Sequence, residues 1–469
     1  MGGFQVLLVF QVFLGALDTV WHHELTEQLA NRERQRRELA WHACRSLLYG
    51  LLLGLLAWVD FRGAWLLLPL SLFSVELMIT LADFVEEDQS RLLPPTERIL
   101  HTVMAINAGA LLVAWLQPLT VAPLPSTIAW RSFDGFAAFL TVMAGLAMVS
   151  GLRDAFAAKK PLSMNTTLLP QRPLRVLITG GSGFIGSTLV HRLLGSGHHV
   201  SILSRQPRRT SMMFAGQAAC FDRIEAIGQQ QYDLIINLAG APVVGLPWTK
   251  ARRRVLWDSR VTLTRDLVTH LATLPRKDRP VFVQASAMGY YGQHAASSRE
   301  QDPPGVDFGG QLCAAWENAA ELVRDAGYRL IILRLGLVLG TQGGILPPLK
   351  LSAHFGGASV LGDGRQDFPW IHLDDVHGSI ERLVQNRDAE GAFNLCAPER
   401  VDQAAFTRAL AKSVHRPQWL RVPATPMRWL LGQMADMLLA SPPATCQRLQ
   451  AMHYGFRHPT LAAALKACG

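Results

Sequence analysis

Five apolar stretches occupy most of the first 155 residues and constrain the fold more than any other feature of the chain. They run Phe4–Trp21, Leu39–Val59, Ala64–Phe84, Ile99–Gln117 and Phe133–Leu152, each of about 18–21 residues. A hydrocarbon layer about 30 Å thick is crossed by roughly 20 helical residues. Backbone donors and acceptors cannot stay unpaired in that layer, so each run has to be helical. A soluble helix bundle would need polar outer faces, which these runs lack. The expectation is an all-α membrane bundle of about five helices over 1–155, a multi-pass assembly in contact with membrane lipids.

Arginine orients the bundle. Arg32, Arg34, Arg36 and Arg37 follow the first run, Arg91 and Arg98 the third, and Arg153, Lys159 and Lys160 the fifth. The opposite side carries only Arg62 and Arg131. The positive-inside rule then puts the N-terminus outside and everything after 155 in the cytoplasm. These flanking arginines account for the net charge of +9. No basic helix or reading motif accompanies them, which excludes nucleic acid as a partner. The six cysteines show no C-x-x-C spacing. Free thiols in a reducing compartment are expected, rather than a zinc site or a disulfide framework.

Acids and histidines recur four residues apart on these helices: Asp18 with His22, Glu38 with His42, Asp83 with Glu87, Glu97 with His101. That spacing puts both members on one helix face, and the topology puts all four pairs at cytoplasmic helix ends. Glu76 lies about 10 Å deeper on the face of Asp83. Ionisable groups at that depth mark function. Carboxylates and imidazoles converging from several helices build metal sites. On this reading His22, His42, Glu87 and His101 hold a transition metal such as iron or zinc, with Glu76 below as a further ligand or proton relay. The alternative turns the same residues outward to arginines and lipid headgroups.

A polar, proline-containing linker covers 156–173, and a different pattern begins at 174. "LRVLIT" is a short buried strand, "GGSGFIG" turns into a helix near Gly183, and "HHVSILS" is a second strand. Strand, glycine turn, helix and strand in that order bind a dinucleotide. Gly180 permits the tight turn, Gly183 admits the pyrophosphate, and Gly186 lets helix and strand pack closely. The helix N-terminus then faces the phosphates. The cofactor set from this turn is Thr179, Gly180, Gly181, Ser182, Gly183, Phe184, Ile185 and Gly186. The end of the second strand reads "SRQPRR" where an acid would bind the ribose of NAD. Arg205, ahead of Arg208 and Arg209, suits a 2′-phosphate, so NADP(H) is expected over NAD(H).

Taken with "NLAG" (237–240), "SAMGYYG" (286–292), "LRLGLVLG" (333–340) and "WIHLDD" (370–375), the turn resembles those of extended short-chain dehydrogenases/reductases. Within that superfamily residues 174–469 are similar to the "epimerase family" proteins, akin to nucleotide-sugar epimerases. "PWTKARRRVLWDSRV", "CAAWE" and "GDGRQ" strengthen the likeness. The resemblance implies an α/β fold: a doubly wound Rossmann sheet of about seven parallel strands with a small C-terminal substrate lobe over the cleft. "NLAG" would end the fourth strand, adding Asn237, Leu238, Ala239 and Gly240 to the cofactor set. Arg260 would lie on the next helix, facing the cleft or a neighbouring helix. Arg365 would hold an anionic group of a small-molecule substrate.

Enzymes of the superfamily use a Tyr-x-x-x-Lys pair with a serine or threonine. Here "VDFGGQLCAAWE" puts Phe308 and Leu312 where Tyr and Lys would stand. Phenylalanine has no proton to give, and leucine no charge to lower a neighbour's pKa. Ser286, Tyr290 and Tyr291 are the polar groups left for catalysis, Ser286 also bordering the cofactor. "HxDD" at 372–375 is expected to shape the lobe and join it to the core. Three readings stay open: a membrane-anchored NADP(H)-dependent oxidoreductase or epimerase, a non-catalytic NADP(H) sensor, and a redox centre in the bundle fed by NADPH.

Overall fold

The computed structural model describes residues 3–20, 36–90, 95–121, 125–158, 169, 172–245, 247–274, 280–293, 297–341, 343–441 and 443–468. The chain divides into two compact units, Met1–Met164 and Asn165–Gly469.

The first unit is built of α1 (Gly3–Asp18), α2 (Arg36–Trp58), α3 (Leu67–Ser90), α4 (Pro95–Val121) and α5 (Gly135–Ala158). Four of these contain segments long and apolar enough to cross a membrane: Leu39–Trp58, Gly63–Val85, Thr96–Gln117 and Gly135–Ala158. In the first run the α-helix Gly3–Asp18 passes directly into π-helical residues 19–20, and Trp21 lies outside the described residues. Met78, Ile106 and Val113 are each about 70% exposed, whereas Asp18, His42, Asp83, Glu97 and Asn107 are buried. Apolar side chains outside and polar ones inside invert the arrangement of a water-soluble bundle.

Small residues bring α2 and α5 together. A Cβ on Gly50 would stand 2.7 Å from Met148 Cγ, and one on Gly151 would stand 3.1 Å from the Ala43 carbonyl oxygen. Close approach at small residues is how helices pack where apolar burial gives no net drive. Asn107 of α4 sets the register of α1 by donating to Gln11 Oε1 (2.7 Å) and to the Leu7 carbonyl (3.0 Å). A short antiparallel ribbon, unforeseen in the sequence, joins β1 (Val59–Arg62) to β2 (Thr127–Trp130). It ties the α2–α3 connection to the one entering α5, so Arg62 and Arg131 share one end of the bundle.

The second unit opens β3 (Arg175–Thr179), α6 (Phe184–Gly195), β4 (His199–Leu203), α7 (Pro207–Met213), β5 (Ala219–Phe221). It continues β6 (Leu234–Asn237), α8 (Lys250–Trp257), α9 (Leu263–Thr273), β7 (Val281–Ala287), α10 (Phe308–Glu321), β8 (Arg329–Leu335). After β8 the chain alternates between the smaller lobe and the core sheet through β9 (Leu337–Leu339), α11 (Leu346–His354), β10 (Ser359–Leu361), β11 (Trp370–His372), α12 (Leu373–Gln385), β12 (Gly391–Leu395), α13 (Gln403–Ser413) and β13 (Leu420–Val422), with α12 and β12 belonging to the core.

Seven strands form one sheet in the order β12-β8-β7-β6-β3-β4-β5, every pair parallel. The expected seven-stranded doubly wound sheet is present, and "NLAG" does end the unit's fourth strand. Alternation feeds two cores. Val176, Ile178, Ile236 and Val283 pack on one face, and Leu177, Ile235, Phe282 and Ile332 on the other. Such continuous apolar runs mark strands buried on both sides. The chain winds outward through β4 and β5, then returns to β6. The switch point therefore falls between β3 and β6, where α/β sheets of this kind bind ligands. Short parallel pairs β9–β11 and β10–β13 belong to the smaller lobe.

Candidate functional site

At the switch point Thr179 and Asn237 are register partners. Thr179 Oγ1 donates to Asn237 Oδ1 and accepts from the Ala239 N–H at 3.2 Å. Asn237 Nδ2 donates to Thr264 Oγ1 and Gln284 Oε1, each at 2.8 Å. Every polar atom of the buried carboxamide side chain is thus used to fix β6 against β3, β7 and α9. Gly180 turns the chain at φ +71°, and a Cβ there would stand 2.8 Å from the Leu238 carbonyl. A Cβ on Gly186 would fall 2.3 Å from the Gly180 carbonyl oxygen. Gly183 caps α6 in extended conformation. Only hydrogen fits at the two ends of this turn, and the first N–H groups of α6 have no partner within the helix.

Arg205 follows β4 and is exposed, as are Arg208 and Arg209 in the first turn of α7. Ser204 Oγ, 2.7 Å from Thr210 Oγ1, closes the loop that presents them.

The surroundings of Ser286 differ from what the sequence suggested. Ser286, on β7, donates to Glu317 Oε1 at 2.6 Å. Glu317, on α10, grips Arg334 of β8 through two bonds, Nε–Oε1 at 2.9 Å and Nη2–Oε2 at 2.8 Å. Both side chains are buried. Burial alone would depress the Arg334 guanidinium, but the Glu317 carboxylate carries it above its usual range. Arg334 Nη1 also donates to the Tyr291 hydroxyl at 2.9 Å, which itself donates to Asn394 Oδ1 at 2.6 Å. Tyr291 is buried, which pushes its phenol up to about 12. Its hydroxyl is a structural link between β8 and β12. Tyr290, half-buried, lies under the Arg334 guanidinium at 3.4 Å from its ring centre; burial raises its phenol.

Glu317 and Arg334 escaped sequence reasoning. Their signal was a lone arginine inside the apolar strand "LIILRLGLVL", since a buried charge needs a partner. Cys313, one turn before Glu317, is buried as well. Burial and the Glu317 charge push its thiol up to about 12.

Phe308 and Leu312 stand in an apolar cluster with Trp248 and Trp316, so the positions matched to Tyr and Lys carry no polar group. Arg260 sits on a π-helical turn, Asp258–Thr262, ahead of α9. Its guanidinium is buried, donates to the Ala241 carbonyl at 3.0 Å, and covers Trp316 at 5.1 Å. A Cβ on Gly240 would come within 2.9 Å of it. Desolvation lowers its pKa. Arg365 is exposed in a turn between Gly362 and Gln366.

The "HxDD" stretch joins lobe and core. His372 caps α12, its Nδ1 accepting from the Asp374 N–H at 3.1 Å. Asp374 pairs with Arg192 of α6. Asp375 accepts from the Arg457 and His458 N–H groups at 2.7 and 3.0 Å.

Of the expected metal ligands, His22 and the side chain of Glu87 lie outside the described residues. His42 and His101 each face an acid from another helix; Glu97, four residues before His101, joins that histidine and Asp18, and the side chain of Glu38 lies outside the described residues. His42 Nε2 is 3.4 Å from Asp83 Oδ2, an oxygen shared with Arg45 at 3.1 Å. His101 Nε2 is 3.2 Å from Asp18 Oδ2. The physical reason is geometric: residues four apart share a face, and that face looks across at the next helix. Glu76 is buried and accepts from Thr80 Oγ1 at 2.9 Å.

Comparison with known proteins follows the same division. The profile of the NAD dependent epimerase/dehydratase family matches residues 176–396, and a domain of unknown function, DUF1731, matches 422–468. An epimerase family protein of Staphylococcus saprophyticus is 34% identical over 302 residues, 62% of this chain and 97% of the relative. Epimerase family protein SDR39U1 of Mus musculus is 32% identical over 301 residues, 62% of this chain and 99% of the relative. Among solved structures, human epimerase family protein SDR39U1 (isoform2) with NADPH aligns at TM-score 0.58 and 30% identity, over 63% of this chain and 99% of that one. The nucleoside-diphosphate sugar epimerase from Corynebacterium glutamicum aligns at TM-score 0.51 and 26% identity, over 73% of this chain and 67% of that one.

Proposed function

Since the chain belongs to the NAD dependent epimerase/dehydratase family, we propose that its second unit binds NADPH and acts on a small molecule as an oxidoreductase or epimerase-like enzyme. Helices α1–α5 would anchor it in a membrane with this unit on the cytoplasmic side. The observation that carries the reading is an open glycine turn at the sheet's switch point, beside exposed Arg205 and Arg208 and no acid at the end of β4. The human relative's structure with NADPH supports the same choice.

The turn suits a dinucleotide because hydrogen is all that Gly180 and Gly186 can carry there. Free N–H groups at the start of α6 would meet the pyrophosphate. Arg205 would meet the 2′-phosphate, which its fork of donors fits. Asn237, Leu238, Ala239 and Gly240 would border the adenosine half, and Ser286 the far end. NADPH, when bound, supplies a hydride. Ser286 spends its proton on Glu317, so toward a substrate it can only accept. Tyr290 keeps its proton at neutral pH and would be the group to give one. Tyr291 is committed to Asn394 and Arg334, which leaves it a positioning role. Arg365, exposed, would hold an anionic group of the substrate, whereas Arg260 is committed to the Ala241 and Leu256 carbonyls.

The sensor reading draws on Phe308 and Leu312 standing in an apolar cluster. NADPH turnover by the intact protein would separate the two.

Residues 165–469 are a suitable sample, because the staphylococcal relative consists almost wholly of this part. Calorimetry should show NADPH bound at least about tenfold tighter than NADH, a difference of about 1.4 kcal/mol. Arg205→Asp should erase most of it. Equal affinities in the unaltered protein would refute the cofactor assignment.

A further inference from the structure

Two groups of described residues bring histidine and acid ligand atoms within 4.8 Å of one another: His372, Asp374, His458, and Asp18, Glu97, His101. The first is already committed. His372 Nδ1 accepts a backbone N–H, and Asp374 holds the Arg192 guanidinium. An added cation there would compete with a resident one.

The second group lies wholly within the helical unit and is more deeply buried. We propose that Asp18, Glu97 and His101 bind a divalent first-row transition-metal ion inside the helical unit. The proposal stands apart from the reading of the nucleotide site, with which it shares no residue.

Spacing is the first argument. Metal bonds to histidine nitrogen and carboxylate oxygen are about 2.0–2.2 Å long. Two such atoms on one ion, at angles of about 90–110°, lie roughly 3.0–3.5 Å apart. His101 Nε2 and Asp18 Oδ2 are 3.2 Å apart. Glu97 belongs to the same group of mutually close ligand atoms.

Burial is the second. Asp18 and Glu97 are 0% exposed and His101 6%. Carboxylates are buried that deeply when they are paired or coordinate a metal.

Support around the ligands is the third. Glu97 and His101 stand one turn apart on α4. Asn107, less than two turns further on, bonds Gln11 and Leu7 of α1 and so fixes Asp18 opposite His101. Phe84 of α3 stacks on the His101 ring at 4.5 Å and 13°, which fixes its plane. Ligands held from outside in this way are a property of metal sites. Mixed nitrogen and oxygen donors favour iron, manganese or zinc, whereas calcium and magnesium take oxygen alone.

The test uses the full chain in detergent, purified without chelators. Elemental analysis should find about one equivalent of a transition metal. Protein stripped by chelation should bind Co(II) with visible d–d absorption. Asp18→Asn and Glu97→Gln should each weaken Co(II) binding at least about tenfold. Far-UV circular dichroism and gel filtration of each variant in the same detergent should match the unaltered protein, which shows that the helical unit folds, and NADPH affinity, read separately, keeps this result apart from the fate of the nucleotide reading. Under one tenth of an equivalent as purified, with no Co(II) spectrum after stripping, overturns the proposal. So does Co(II) binding by both variants equal to that of the unaltered protein.

Discussion

Glu317→Gln is the sharpest perturbation of the buried polar network behind β7 and β8. The carboxylate accepts three bonds, from Ser286 at 2.6 Å and from Arg334 at 2.9 and 2.8 Å. Glutamine keeps the shape, but its amide nitrogen cannot accept and its oxygen carries no charge. The Arg334 guanidinium is then left buried without its counter-charge, its acceptors reduced to the Tyr291 hydroxyl, the Glu300 carbonyl and a single neutral glutamine oxygen. Breaking a buried ion pair from one side costs about 3–5 kcal/mol, most of it the penalty of the stranded charge. For a unit of this size each kcal/mol lowers Tm by roughly 2 °C, so a fall of roughly 6–10 °C is expected. Urea unfolding of residues 165–469, followed by circular dichroism, measures the free energy directly. Arg334→Met should cost a comparable amount. The double variant removes both charges and should cost less than the two single losses added together, by at least about 2 kcal/mol. A loss below about 1 kcal/mol for Glu317→Gln, or strict additivity in the double variant, would refute the argument that the pair acts as one buried unit.

Two further outcomes concern other parts of the chain. Burial holds His372 neutral, its pKa lowered from 6.5 to about 4, so the unfolded chain binds more protons between those values and stability falls on acidification through that window, by up to roughly 3 kcal/mol for this group. His372→Asn keeps an acceptor for the Asp374 N–H and should flatten that part of the pH–stability curve; a slope equal to that of the unaltered protein would sink the reasoning. Reporter fusions at residues 2 and 469 should report opposite sides of the membrane, the second cytoplasmic, and an extracytoplasmic signal from residue 469 would reverse the orientation drawn from the arginines.

Local order was legible where one physical rule dominates a segment. Strand, glycine turn and helix over 175–195 could be read because only glycine fits at 180 and 186 and because the strands are unbroken apolar runs. The long helices could be read because a chain without polar faces has few other folds. What could not be read was pairing between distant segments. The sequence put Glu97 beside His101, and the structure adds Asp18 from another helix, 83 residues away. Glu317 and Arg334 are 17 residues apart on a helix and a strand, and no periodicity links them. Tyr290 and Tyr291 look equivalent in "GYYG", yet the 3-10 turn Met288–Tyr291 buries the second and leaves the first half-buried.

The β1–β2 ribbon sets an order of assembly. About 65 residues separate the end of β1 from the start of β2. At a synthesis rate of about 5–20 residues per second, β1 waits several seconds for its partner, although hairpins close in microseconds once both strands exist. During that interval α2 and α3 form a helical hairpin whose connecting strand has an open edge. The packing of α2 on α5 through Gly50 and Gly151 has to wait longer still. The ribbon is therefore a late clasp, closed only after α4 has been made. A chain arrested before residue 127 would carry an unpaired strand, the kind of edge that joins molecules together wrongly.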